Sequence, residues 1–143
     1  MQPNTLDLRI AEIRDVPCAA VICEEHPVSA GAAELIRSTR DAVHHMLEGK
    51  DDRLLVVIGP CSIHDVDAAR EYADRLLTLR QRYSEDLVLV MRVYFEKPRT
   101  ALGWKGYIND RNLNDTFDVK LGLSKAREFL LQIAEIGLPA ATE

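Results

Sequence analysis

Leu54-Leu55-Val56-Val57-Ile58-Gly59-Pro60-Cys61-Ser62-Ile63-His64-Asp65 decides the reading of this chain. Five apolar residues run without alternation and then break at Gly-Pro. An alternating strand buries one face; an unbroken apolar run is expected to bury both, as strands of a parallel α/β sheet do. Past the break stand a thiol, a hydroxyl, an imidazole and a carboxylate. Ligands in parallel α/β folds bind at the C-terminal ends of strands, so a buried strand with a polar tip points to a site.

The 143 residues make one domain's length, and 47% hydrophobic with 29% charged residues argues against disorder. A net charge of −5 gives no reason to expect nucleic acid or an anionic membrane as partner. No apolar run approaches the ~20 residues a membrane helix needs. The start, Met1-Gln2-Pro3-Asn4-Thr5, lacks a secretory pattern. Cys18, Cys23 and Cys61 have no CxxC spacing and read as reduced thiols of a cytoplasmic protein.

Outward from the deciding stretch, residues 1–27 read as an extended arm or a frayed terminus, with a short apolar piece from Ala19 to Cys23 between Pro17 and Pro27. A helix is predicted over 29–48, capped by Ser29 and ended by Gly49. Its apolar stripe is Ala32, Leu35, Ile36, Thr39, Val43, Met46 and Leu47. After the first strand, Asp65 or Asp67 caps a helix running to about Tyr83. A second strand follows at Leu87–Val93, giving a parallel, right-handed βαβ unit. Asp118 caps a third helix with a Val119, Leu123, Ala126, Leu130, Ile133 stripe, stopped at Gly137. Leu138 to Glu143 begins a third strand. Three strands with no helix after the last are expected to leave an open apolar edge, so the chain reads as a fragment of a longer protein or a product whose partner segments are missing.

Arg92 interrupts the otherwise apolar second strand. A guanidinium there needs a partner, either a buried carboxylate or an anionic ligand at the strand end. The 94–117 stretch is far longer than ordinary strand-to-helix loops, which argues for function. It carries Lys97, Arg99 and Lys105, with Pro98 stiffening the backbone and Thr100 adding a hydroxyl. Fixed charge, forked donors and a neutral donor suit phosphate. Tyr94, Phe95 and Trp104 interleave with these cations, which favours a ligand site over a solvated charge run.

The Gly-Pro-Cys-Ser stretch at 59–62, Met91 to Thr100 with Lys97-Pro98-Arg99-Thr100, and Gly103-Trp104-Lys105-Gly106 together resemble the class I (type Iα) 3-deoxy-D-arabino-heptulosonate-7-phosphate (DAHP) synthases. The resemblance covers essentially the whole chain and departs at Val66, Tyr107 and Arg111-Asn112, none of them assigned to chemistry. It implies the N-terminal part of a (β/α)8 TIM barrel, with about three of its eight strands in residues 53–143 and an N-terminal extension in 1–52. It further implies condensation of phosphoenolpyruvate with erythrose 4-phosphate, releasing phosphate and opening aromatic amino-acid synthesis.

The resemblance also assigns roles. Cys61 would be one ligand of a divalent metal ion, Mn, Fe, Zn or Co, whose other ligands would lie beyond Glu143. Arg92 and Lys97 would hold the anionic groups of phosphoenolpyruvate. Lys97, Pro98, Arg99 and Thr100 would clamp erythrose 4-phosphate, the last two on its phosphate. The arm, with Asp7 and Ile10, would meet a neighbouring subunit of a homo-oligomer (dimer or tetramer) and serve feedback inhibition by Phe, Tyr or Trp. His64 reads as a local hydrogen-bonding residue. The isolated chain is expected to be inactive. Two rival readings are a non-catalytic truncated subunit or remnant acting only in assembly, and the related octulosonate phosphate synthase, against which Lys97-Pro98-Arg99-Thr100 argues.

Overall fold

The computed structural model describes residues 9, 10, 12–99 and 102–143. Among these residues two helices lead into alternating strands and helices: α1 (Ala19–Glu25), α2 (Ala30–Leu47), β1 (Leu54–Ile58), α3 (Val66–Arg82), β2 (Leu87–Arg92), α4 (Val119–Glu135) and β3 (Ala140–Ala141). Each long helix starts where a short polar side chain satisfies an orphan amide. Ser29 Oγ accepts from Ala32 N, Asp65 Oδ1 from Asp67 N and Ala68 N, and Asp118 Oδ1 from Leu121 N.

The strands form one parallel sheet in the order β1-β2-β3. Leu54 pairs with Leu87 and Ile58 with Met91; on the other side Met91 pairs with Ala140 and Arg92 with Ala141. The C-terminal ends of all three strands therefore come level. The β1-α3-β2 unit is parallel, as its length implied.

The core lies under β2, where Met91, Val93 and Phe95 meet Phe129, Ile133 and Leu138 from α4 and its exit, and Ala69, Ala73 and Leu76 from α3. Phe95 and Phe129 meet edge to face with ring centroids 6.3 Å apart, a favoured aromatic geometry.

Several expectations are corrected. β1 is not buried on both faces: Leu54 is 64% and Val57 49% exposed, and only Val56 is half-buried. β1 is an edge strand, hydrogen-bonded to β2 alone, and Val56 is the one of its residues that packs against the core cluster. The arm is not wholly extended. Ala19–Glu25 is helical, Ile22 is buried, and His26 Nε2 lies 2.8 Å from Ser124 Oγ on α4. Leu47, expected on the α2 stripe, is exposed in the final turn. β2 ends at Arg92, one residue short of expectation.

Below the sheet, Arg53 clamps Asp51, with Nη2 2.6 Å from Oδ2, and reaches the Ser84 carbonyl. The guanidinium hydrogen bonds hold the Asp51 carboxyl down at about 2. Among the described residues no helix is long and apolar enough to cross a membrane.

Candidate active site

The site begins with a close crossing at the strand ends. A Cβ at Gly59 would overlap the Arg92 carbonyl, so only glycine lets the chain leaving β1 pass over the end of β2. That crossing, with Ile63 N bonded to Tyr94 O at 2.6 Å, brings Cys61 beside the segment that follows Arg92.

Beyond β2 the long stretch is ordered as a small hairpin. Glu96 bridges Gly106 in antiparallel fashion, Lys97 N donates to Lys105 O at 3.0 Å, and Tyr107 N to Phe95 O. Gly106 has φ +109°, and a Cβ there would strike the Phe95 carbonyl; the hairpin needs glycine at this point. Asp110 is buried and holds the returning strand. Its carbonyl accepts Trp104 Nε1 at 2.7 Å, and its carboxylate takes the amides of Asn114 and Asp115.

A pocket of about 760 Å³ opens between these parts, lined by Cys61, Arg92, Tyr94, Glu96, Lys97, Pro98, Lys105, Asn109 and Glu143. Lys97 Nζ donates to Cys61 Sγ at 3.4 Å. Glu143 Oε1 accepts the amides of Phe95 and Glu96 at 2.7 and 2.6 Å, tying the loop to the end of β3. Asn109 Nδ2 reaches Glu96 Oε1 at 3.3 Å. Three cations face two carboxylates, and each carboxylate accepts from an uncharged donor. The pocket suits an anion.

The sequence-predicted residues divide. Cys61, Arg92, Lys97 and Pro98 line this one pocket. Arg99 stands next to it, exposed, with Nε 3.3 Å from Trp104 O and its own carbonyl accepting Lys105 Nζ. Thr100 and Asp7 lie outside the described residues. Ile10 is exposed in a separate cleft with Glu12, Arg14, Asp115, Thr116 and Phe117. Arg92 has no buried carboxylate partner among the described residues: it is half-buried, with Cζ 4.1 Å over the Tyr94 ring. His64 is exposed, lines another cleft and makes no hydrogen bond to a described residue. Glu96, Asn109 and Glu143 were not singled out in the sequence. None of the three stands in a motif that marks it, because each bonds a partner elsewhere in the chain.

Cys61 is exposed and free, and its sulfur opens on the pocket, so it fits one ligand position of a metal ion. Among the described residues no group of three or more His, Cys, Asp or Glu could hold an ion unaided.

The family model described as the DAHP synthetase I family matches residues 25–143. The chain belongs to this family. It is 53% identical over 137 residues to the Phe-sensitive phospho-2-dehydro-3-deoxyheptonate aldolase of Escherichia coli K12, covering 96% of this chain and 39% of that relative. It is 50% identical over 140 residues to the Trp-sensitive enzyme of the same organism, covering 98% of this chain and 40% of the relative. A solved phospho-2-dehydro-3-deoxyheptonate aldolase from Francisella tularensis superposes with a TM-score of 0.89 at 41% identity, over 93% of this chain and 39% of that one. The chain thus spans about two fifths of the length of these family members.

Proposed function

We propose that this chain is the substrate-gathering part of a 3-deoxy-7-phosphoheptulonate synthase, joining phosphoenolpyruvate to erythrose 4-phosphate. Residues 53–143 would form the first βα units of a (β/α)8 barrel and residues 1–52 its extension. One observation carries the reading: Lys97 Nζ stands 3.4 Å from Cys61 Sγ in a pocket that also holds Arg92. Family membership supports the reaction class.

Both substrates are anions, and each residue has a part in holding them. Arg92, at the end of β2, offers in-plane N–H pairs to the carboxylate or phosphate of phosphoenolpyruvate. Lys97 adds a point charge between that anion and the sulfur. Pro98 fixes the backbone angle, so Lys97 and Arg99 diverge by a set amount. Arg99 and Thr100 would take the phosphate of erythrose 4-phosphate at the pocket's edge. Cys61 would supply one ligand to a divalent ion, which when bound polarises the aldehyde oxygen. The glycine crossing and the Glu143 tie keep these groups in register, which is what positional catalysis requires.

The names of the Phe-sensitive and Trp-sensitive relatives support an aromatic amino acid as feedback ligand. Asp7 and Ile10 of the extension would contribute to that control in a cytoplasmic homo-oligomer.

The test is a hybrid in which this chain replaces the aligned segment of the E. coli Phe-sensitive enzyme. With Mn²⁺ it should consume both substrates and release phosphate, while the 143-residue chain alone should not. A folded but inactive hybrid overturns the assignment; turnover by the chain alone overturns the expectation that it needs the rest.

A further inference from the structure

Among the described residues Arg92 makes no ion pair, although a guanidinium at the end of an apolar strand calls for one. Two carboxylates share its pocket, and neither reaches it. Glu143 Oε1 is engaged by the amides of Phe95 and Glu96, and Glu96 Oε1 by Asn109 Nδ2. What the guanidinium does touch is an aromatic face, with Cζ 4.1 Å from the Tyr94 ring centroid. Tyr94 lies two residues on, on the same side of the extended chain, and lines the same pocket.

A stacked guanidinium differs from a salt-bridged one in what remains available. An ion pair with a carboxylate consumes in-plane N–H donors. Stacking uses the face of the plane and leaves the forked donors at its edge for a planar or tetrahedral anion. It also limits rotation about the long Arg side chain, whose rotamer entropy would otherwise be lost on binding.

We infer that Tyr94 is a positioning residue for Arg92: its ring holds the guanidinium plane so that the edge donors meet the anionic group of phosphoenolpyruvate. The inference rests on the proposed role of Arg92, and its test separates the two. Tyr94 acts through its ring face, so the hydroxyl is dispensable. The backbone carbonyl of Tyr94, which accepts Ile63 N, is untouched by side-chain replacement.

The experiment uses the hybrid enzyme and measures KM for each substrate together with kcat, with circular dichroism to verify folding. Tyr94→Leu should raise KM for phosphoenolpyruvate by about three- to tenfold, the range a cation–π contact supplies. KM for erythrose 4-phosphate and kcat should stay within about twofold. Tyr94→Phe should match the parent. Should Tyr94→Leu fail to fold, Tyr94→Met, which keeps bulk without a ring, takes its place with the same expected result. Equal losses in Phe and Leu variants overturn the inference, since the hydroxyl would then be the acting group. Equal effects on both substrates overturn it too. Arg92→Lys is the control. If it raises KM for phosphoenolpyruvate and Tyr94→Leu does not, the positioning role is wrong and the Arg92 assignment stands. If Arg92→Lys leaves that KM unchanged, the Arg92 assignment falls and the inference with it.

Discussion

Lys97 Nζ lies 3.4 Å from Cys61 Sγ although 36 residues separate them. The two come from the segments that follow adjacent strands, so an anion seated on Lys97 would cover the sulfur. Iodoacetamide should alkylate all three cysteines, since Cys18, Cys23 and Cys61 are each exposed. In the hybrid, phosphoenolpyruvate should slow labelling of Cys61 and leave Cys18 and Cys23 unchanged, as read by peptide mass spectrometry. Equal protection at all three would deny the shared pocket.

Cys61→Ala should abolish metal-dependent activity of the hybrid while changing stability by about 0.5 kcal/mol or less, because the thiol is exposed and supports no packing. Thermal melts and a metal titration measure the two effects separately. Activity retained with Mn²⁺ would remove Cys61 from the metal site.

Arg99→Ala should raise KM for erythrose 4-phosphate by roughly tenfold or more, the worth of a hydrogen bond to a charged group, with far less effect on phosphoenolpyruvate. Arg99 stands outside the pocket that holds Arg92 and Lys97, so its loss should fall on one substrate. Equal shifts in both KM values would contradict the clamp.

Gly106→Ala should destabilise the chain by roughly 1–3 kcal/mol, from the positive φ alone. The clash with the Phe95 carbonyl adds to this and would open the bridge between Glu96 and Gly106. Urea unfolding measures the loss, and in the hybrid both KM values should rise together.

Asp51 titrates at about 2, below its ordinary 3.8, because Arg53 bonds its charged form. A depressed carboxyl stabilises the fold at pH values above 3.8, and that contribution is lost as pH falls through about 2. Asp51→Asn should therefore be less stable than the parent at neutral pH, with the gap closing across that window in acid-unfolding curves. A constant gap would mean the pair contributes through shape alone.

Much of this was legible locally. Ser29, Asp65 and Asp118 each announce a helix because a cap is a contact within three residues. The parallel strands follow from uninterrupted apolar runs joined by a helix. What was not legible depended on distant partners. Leu54–Ile58 carries the composition of a fully buried strand, yet its exposure depends on what lies beside it, and that is not encoded in its own pattern. Ala19–Glu25 is short, contains β-branched residues and has no side-chain cap; its contact with α4, through burial of Ile22 and the bond from His26 to Ser124, supports the helix. The site divides the same way. Cys61 and Lys97 sit in recognisable motifs, whereas the grip of Glu143 on the Phe95 and Glu96 amides spans 48 and 47 residues and has no local signature.

The pairing of Ile58 with Met91 sets where Cys61 and Arg92 emerge. It follows that inserted codons are not equivalent along this gene. One extra residue in the turn between α3 and β2 can be absorbed by the bend. One extra residue between Val57 and Cys61 would carry the sulfur about 3.3 Å along the strand or invert the facing of every side chain after it. Length variation among descendants of this chain should therefore collect in the turns below the sheet and be purged from the few positions that feed its upper rim.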